Sequence, residues 1–184
     1  MHDQSSFALL NHSRITVLQG QVHVSTSPDV EMSTVLGSCV ATCLFDEQAR
    51  VGGMNHFLLA EPPARRSSSG FDEHYGVYLM ELLINEMLAE GASKQLLRAH
   101  LYGGANLHQG MHSIGTMNAD FARNFLKREG IPLVRQDLGG DNARRVHFRP
   151  ADGRVRCRVV ENSSAPVARP TPRPERASGD VELF

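Results

Sequence analysis

The sequence lacks any apolar run that approaches the ~20 residues needed to span a bilayer, and its formal net charge is only -1. The first absence argues against a membrane-spanning protein. The second gives the chain no overall attraction to nucleic acid or to an anionic membrane. The segment Met1–Leu10 also lacks a basic stretch followed by a long apolar one, so we expect no secretory signal.

Cysteine is scarce as well. The three cysteines are an odd number without the spacing of a disulfide scaffold, which is typical of free thiols in a reducing compartment. A chain of 184 residues, of which 41% are hydrophobic, is long enough for one domain with a real core. We therefore expect a cytoplasmic single-domain protein that binds no nucleic acid and does not insert into a membrane.

The pattern of apolar and β-branched residues predicts several strands. The first strand region is expected over Arg14–Val24, interrupted at Gly20. The nearly continuous apolar run Val35–Phe45 and the segment Val51–Ala60 predict a hairpin. Further strands are predicted at Leu96–Tyr102 and Leu133–Asp137, with a second hairpin formed by Arg145–Arg149 and Arg154–Val160 around Asp152-Gly153.

Helical spacing of apolar residues predicts two helices, Tyr75–Glu90 and Asn118–Glu129. Strands that are partly adjacent and partly separated by helices indicate a mixed α/β (α+β) domain. We place this domain at residues 13–160, after a flexible N-terminus at 1–12. Residues 161–184 are rich in Pro, Arg and Ser, a composition typical of a disordered tail.

Cys39 is the first candidate for chemistry. It follows Gly37-Ser38, where glycine allows a sharp turn and close approach of a substrate. His56 lies across the predicted hairpin, so strand pairing could bring its imidazole to the thiol and activate a nucleophile. The alternative is that Cys39 is simply a small buried apolar residue, as most such cysteines are.

Metal sites are less well supported. Cys43 with Cys39 has the wrong spacing for a zinc site, and Cys157 has no pattern of ligands around it. His108 and His112 form a His-x-x-x-His pair without the glutamate of a zinc protease. We expect neither a metal nor another cofactor. The arginines near the C-terminal hairpin form either a solvated face or a docking surface for an acidic protein; these are Arg144, Arg145, Arg149, Arg154, Arg156 and Arg158.

Two segments carry a family resemblance. The sequence Val35-Leu-Gly-Ser-Cys-Val-Ala-Thr-Cys-Leu-Phe-Asp46, followed by Val51-Gly-Gly-Met-Asn-His-Phe-Leu-Leu59, resembles the CheD family of chemoreceptor glutamine deamidases. The resemblance continues to about Val160 through shorter motifs, which are Tyr75-Gly76, Met80-Glu-Leu-Leu-Ile-Asn-Glu-Met-Leu88, Tyr102-Gly-Gly-Ala-Asn106, Ile114-Gly115, Asn118 and Asp137-Leu-Gly-Gly-Asp-Asn-Ala-Arg-Arg145.

This resemblance implies a fold of mixed β-sheets in a sandwich flanked by helices, similar to the catalytic domain of cytotoxic necrotizing factor-type toxins. It also implies that Cys39 is the nucleophile and His56 its base. The third residue of the family's triad falls on Thr34 or, one residue earlier, on Ser33. The implied activity is hydrolysis of receptor glutamine to glutamate with release of ammonia, a protein-glutamine glutaminase reaction.

Two other classes of function remain open from the sequence. A Cys-His pair also serves peptidases and transglutaminases, which cleave or crosslink proteins. A non-catalytic adaptor would instead bind chemoreceptors or a CheC-type phosphatase and leave the thiol unused. The resemblance implies the cytoplasmic domains of methyl-accepting chemoreceptors as partners, with a CheC-type phosphatase as a possible second one.

Overall fold

Two β-sheets and two helices make up the computed structural model, which describes residues 13–59, 73–107 and 114–161. The strands of the first sheet lie in the order β1-β3-β8-β9, and those of the second in the order β2-β5-β4-β6-β7. The strands are β1 (Ser13–Thr16), β2 (Val22–Ser25), β3 (Val30–Leu36), β4 (Val40–Asp46), β5 (Val51–Phe57), β6 (Arg98–Gly103), β7 (Leu133–Leu138), β8 (Ala143–Arg149) and β9 (Arg154–Val160).

Both sheets contain parallel and antiparallel pairs. In the four-stranded sheet β1 runs parallel to β3, while β8 and β9 are antiparallel to their neighbours. In the five-stranded sheet only β6 and β7 are parallel. The expected mixed α/β class and the predicted β4–β5 and β8–β9 hairpins are therefore confirmed.

Two apolar layers hold these elements together. One lies between the sheets and contains Met32, Met54 and Phe148. The other lies between the five-stranded sheet and the helices α1 (Glu73–Ala89) and α2 (Ile114–Glu129). Because β4 is covered on both sides, all of its residues are buried, unlike those of a strand with one face in water.

Several predicted boundaries were wrong. The region Arg14–Val24 is not one interrupted strand, because β1 and β2 belong to different sheets. The run Val35–Phe45 is likewise divided: the chain leaves β3 after Leu36 and enters the other sheet at Val40. A continuous apolar run does not show this change of sheet, since both strands bury apolar side chains.

Both helices lie where the sequence predicted them, but their first or last residues differ from the predicted ones. α1 extends over Glu73–Ala89, and α2 begins at Ile114, four residues before the predicted start. Neither helix, in the portions that the structure describes, is long and apolar enough to cross a membrane. The predicted flexible N-terminus, the predicted tail after Glu161 and the pair His108/His112 lie outside the described residues.

Candidate active site

Thr34 and His56 form a polar contact between the two sheets. The hydroxyl oxygen of Thr34, on β3, lies 2.9 Å from Nδ1 of His56, on β5. The same hydroxyl donates to the backbone carbonyl of Val17 at 2.8 Å. All three groups are buried, so this short network replaces water as the partner of the imidazole.

The network determines which nitrogen of His56 is protonated. The carbonyl of Val17 can only accept, and it lies 3.3 Å from Nδ1. Since the Thr34 hydroxyl uses its one hydrogen on the same carbonyl, both neighbours favour a hydrogen on Nδ1. Nε2 then carries the lone pair, and it has no hydrogen-bond partner within residues 13–59, 73–107 and 114–161. The contacts at Nδ1 thus fix the orientation of the ring and leave the lone pair on Nε2.

Cys39 lies in the Gly37–Cys39 connection, where the chain passes from one sheet to the other. Its carbonyl accepts a hydrogen bond of 2.8 Å from the N–H of Gly104, and the carbonyl of Gly37 accepts one of 2.9 Å from Ala105. Gly103 has φ +107°, and a side chain there would collide with the carbonyl of Cys39. The glycines after β6 therefore let the backbone approach and clamp the connection.

Asn118 holds the same connection from the helix side. Its Nδ2 donates to the carbonyl of Ser38 at 2.8 Å, and its Oδ1 accepts from the N–H of Leu59, also at 2.8 Å. The residue is fully buried. One side chain thus connects the residue before the thiol with the chain just after β5, the strand that carries His56.

The Cys39 thiol is on the same side of the five-stranded sheet as His56. Ala41 pairs directly with His56 across the β4–β5 hairpin, and Ala41 and Cys39 both contribute to the apolar layer between the sheets. The thiol is directed to Oε1 of Gln19, 3.8 Å away, and makes no hydrogen bond to His56 Nε2. Catalytic contacts of this kind are often long without substrate.

Burial keeps both groups neutral. Removal from water raises the pKa of the Cys39 thiol to about 12 and lowers the pKa of His56 to about 4, although the Val17 carbonyl partly opposes the second shift. At neutral pH the pair is therefore a thiol beside an uncharged imidazole.

Thr34 and Ser33, the two candidates for the third residue of the implied triad, lie on opposite faces of β3. Thr34 contacts His56, whereas Ser33 pairs with His147, whose imidazole bonds to Glu31 on the opposite face of the four-stranded sheet. Neighbouring residues on a strand point to opposite faces, so only one of the two can reach the imidazole. Sequence reasoning left this choice open because it did not place β3.

The other cysteines are not part of this arrangement. Cys43 is fully buried in the layer between the sheets, and burial raises its pKa. Cys157 is half-buried on β9, 3.5 Å from Oδ2 of Asp137. Within residues 13–59, 73–107 and 114–161, no three His, Cys, Asp or Glu side chains gather as metal ligands.

Arg144 was grouped with the surface arginines in the sequence and has a different position. Its buried guanidinium bonds to Asp137 at 3.0 Å, to the carbonyl of Gly103 at 3.1 Å and to the carbonyl of Gly139. It thereby supports the glycine segment that clamps Cys39. Three other arginines of this group have acidic partners: Arg156 bonds to Glu31, and Arg149 and Arg154 both lie near Asp152.

The family model described as CheD chemotactic sensory transduction matches residues 58–159. Among curated proteins, a Zymomonas mobilis protein named "Probable chemoreceptor glutamine deamidase CheD" is 54% identical over 95% of this chain and 94% of its own. A protein of the same name from Caulobacter vibrioides is 50% identical over 100% of this chain and 97% of its own.

Likeness to solved structures is weaker. A Neisseria meningitidis protein of the DUF152 family model is 12% identical, with a TM-score of 0.44, over 70% of this chain and 64% of its own. The matched family segment begins at residue 58, so Thr34, Cys39 and His56 precede it and lie in the part that the Caulobacter relative also covers.

Proposed function

The chain belongs to the CheD family, and we propose that it hydrolyses the side-chain amide of chemoreceptor glutamines with Cys39 as nucleophile, His56 as base and Thr34 as the residue that orients the imidazole. The observation that carries these roles is the contact of 2.9 Å between Thr34 and Nδ1 of His56. It leaves Nε2 unprotonated on the side of the sheet where Cys39 lies, with no hydrogen-bond partner in the part of the chain that the structure describes.

The reaction follows from this neutral pair. As the sulfur attacks the glutamine carbonyl carbon, Nε2 of His56 takes the thiol proton, and the carbonyl oxygen becomes negative. The C–N bond then breaks, the imidazolium gives its proton to the nitrogen, and ammonia leaves a thioester on Cys39. Water, deprotonated by His56, attacks the thioester and releases glutamate and the thiol.

The contacts of His56 support one shared task for its two polar partners. The carbonyl of Val17 and the hydroxyl of Thr34 both accept from Nδ1–H, and they become stronger partners when the ring is charged. They therefore stabilise the imidazolium that attack creates, although burial lowers the pKa of the free residue. This is the task that an aspartate or asparagine performs in other triads.

Chemoreceptor cytoplasmic domains are the proposed substrates, which places the reaction in the cytoplasm. Each event converts a neutral carboxamide into a carboxylate and so adds one negative charge to the receptor. Binding to a CheC-type phosphatase stays a prediction. A pulldown with purified partner, in which wild-type protein and Cys39→Ala behave alike, would show binding that is independent of the thiol.

The direct test is ammonia release from a receptor cytoplasmic fragment, with the fragment analysed by mass spectrometry. We expect wild-type protein to add about one dalton per modified glutamine without cleaving or crosslinking the chain, and both Cys39→Ser and His56→Gln to be inactive. Cys43→Ser is the matched control, because that thiol is buried away from the imidazole network. Deamidation by folded Cys39→Ser would refute the assignment.

A further inference from the structure

The four-stranded sheet carries many arginines on its outer face, which is the side away from Thr34. Residues that alternate along a strand share a face, so the register of the sheet shows which side chains lie there. Both helices pack against the other sheet, and no helix of the described residues covers this face. The arginines of the outer face, all exposed except half-buried Arg149, are Arg14, Arg145, Arg149, Arg154, Arg156 and Arg158.

Two acidic side chains neutralise part of this charge. Glu31 accepts hydrogen bonds from Arg156 at 3.0 Å and from Arg14 at 3.2 Å. Asp152 lies 3.6 Å from Arg149 and 3.7 Å from Arg154. Each carboxylate is thus shared by two arginines, and these four arginines have an anionic partner within the protein.

Arg145 and Arg158 are the remaining two arginines, and they lie directly opposite each other on β8 and β9. Within residues 13–59, 73–107 and 114–161, neither of them forms an ion pair. Like charges directly opposite on neighbouring strands destabilise a sheet. The pair therefore does not stabilise the sheet by itself, and a carboxylate bound between the two guanidinium groups would remove the repulsion.

This pair lies at the end of the sheet where the chain continues to Cys39. Arg145 is the partner of Val35, the last residue but one of β3, and Cys39 follows three residues after that strand ends. Arg149 and Arg154 lie at the other end of the hairpin, next to its turn. A protein surface that presents a glutamine to Cys39 can therefore extend past the end of the sheet to Arg145 and Arg158.

The two groups proposed for the chemistry offer no charge for the selection of a substrate. Burial keeps the pKa of Cys39 high and that of His56 low, so both are neutral at neutral pH, and the target carboxamide is neutral as well. Electrostatic recognition has to come from side chains around them. Arginine suits this task, because its planar guanidinium can donate two parallel hydrogen bonds to one carboxylate.

We propose that Arg145 and Arg158 bind carboxylates on the cytoplasmic domain of the chemoreceptor and thereby position the receptor at Cys39. This inference rests on the proposed deamidase function. An acidic protein surface fits the pair better than nucleic acid does. The chain has a formal net charge of only -1, which gives no long-range attraction to a polyanion, and nucleic-acid binding draws on many phosphate contacts.

The direct test is the Kd for a receptor cytoplasmic fragment, measured by calorimetry in the Cys39→Ser background so that no turnover occurs. We expect Arg145→Gln combined with Arg158→Gln to raise Kd about 3- to 10-fold at low salt, the effect of losing two exposed ion pairs. The dependence of Kd on ionic strength should become less steep.

The matched control combines Lys127→Gln with Arg128→Gln. These residues are exposed in the last turn of α2, which packs on the other side of the five-stranded sheet. The control removes the same charge from the protein and should leave Kd unchanged. An equal rise of Kd in the control would reduce the attraction to net charge and overturn the proposal.

Kinetics and stability separate docking from support of the fold. With the thiol intact, the Arg145/Arg158 double variant should have a higher KM and an unchanged kcat, since it loses only binding. Its Tm should equal or exceed that of wild type, because a like-charge pair has been removed. A lower Tm together with a lower kcat would assign the arginines to the fold and overturn the proposal.

Two other results would overturn it. An unchanged Kd in the double variant would mean that the two arginines are only solvated. Binding of single-stranded RNA that the double variant loses, with no change in receptor binding, would assign the pair to nucleic acid. Both results leave the deamidase function intact. Ammonia release by Cys39→Ser would refute that function, while the Kd values would still decide what the arginines bind.

Discussion

The hydroxyl of Thr34 and the imidazole of His56 lie 2.9 Å apart although they belong to different sheets. The contact crosses the apolar layer in which Met32 and Met54 also pack. The position of the imidazole therefore depends on how the two sheets are stacked. Any change that shifts one sheet against the other should affect catalysis before it unfolds the protein.

Removing the hydroxyl of Thr34 should reduce turnover by loosening the imidazole. We expect Thr34→Val to lower kcat about 10- to 100-fold, the scale of a misplaced catalytic group, while Thr34→Ser keeps most activity. Ser33→Ala is the matched control, because its position faces the other side of β3. The measurement is the rate of ammonia release by all three variants. A greater loss of activity in Ser33→Ala than in Thr34→Val would assign the orienting role to Ser33.

The pH dependence of kcat/KM should show a broad plateau. Burial lowers the pKa of His56 to about 4, so activity should fall only as acid protonates the base near that value. Burial raises the pKa of Cys39 to about 12. The rate should therefore not increase between pH 6 and 8, as it would if a thiol with the ordinary pKa of ~8.5 had to ionise first.

Initial rates at low substrate, in buffers of constant ionic strength, test this profile. A rate that rises about tenfold per pH unit through neutrality would show that a preformed thiolate is the reactive species. Cys43→Ser serves as the control for effects of the buried neighbouring thiol.

Asn118 should matter for both stability and turnover. Asn118→Asp keeps an acceptor for the N–H of Leu59 but replaces the donor to Ser38 with an oxygen that repels the carbonyl. We expect a loss of about 1–3 kcal/mol in the free energy of unfolding, together with lower kcat because the segment before Cys39 is released. Urea unfolding and ammonia release on the same preparation measure the two effects.

Asn106→Ala is the matched control for Asn118. Its amide makes an exposed bond of 3.1 Å to Thr116, so its loss should cost less than about 1 kcal/mol. Equal effects of the two substitutions would mean that the bridge through Asn118 has no special role.

Substitution of Glu31, on the face of the four-stranded sheet that points away from His56, should change stability but not activity. Burial acts to raise the pKa of Glu31, but hydrogen bonds from His147 and Arg156 outweigh it and the pKa is lowered. A carboxyl group whose pKa is lower in the folded protein stabilises the fold at pH values above 4.5, the pKa of the unfolded state. This stabilisation is lost as the pH falls through the folded pKa. Glu31→Gln should therefore cost about 1–2 kcal/mol at pH 7, and this difference should shrink in acid.

Chemical unfolding at pH 7 and pH 3.5 checks the sign, with exposed Glu81→Gln as the control. Activity of folded Glu31→Gln should match that of wild type, since Glu31 faces away from His56 on the same strand as Thr34. A stability difference that grows in acid would contradict the ion-pair explanation.

The sequence by itself determined the elements with strong local signals. Helical spacing of Met80, Leu83 and Met87 indicated α1, and apolar runs separated by turn residues indicated the β4–β5 and β8–β9 hairpins. The family motifs also singled out Cys39 and His56. Such signals are local because side-chain periodicity and turn chemistry are properties of neighbouring residues.

Only the tertiary structure decided which side chains contact His56 and Cys39. Thr34 and Ser33 are adjacent and both carry hydroxyls, so the choice required knowing which face of β3 meets the other sheet. Gln19 has no motif, and its contact with Cys39 exists because the chain changes sheets on both sides of the site. Contacts made by stacking two sheets join residues far apart in sequence, and no local pattern encodes that stacking.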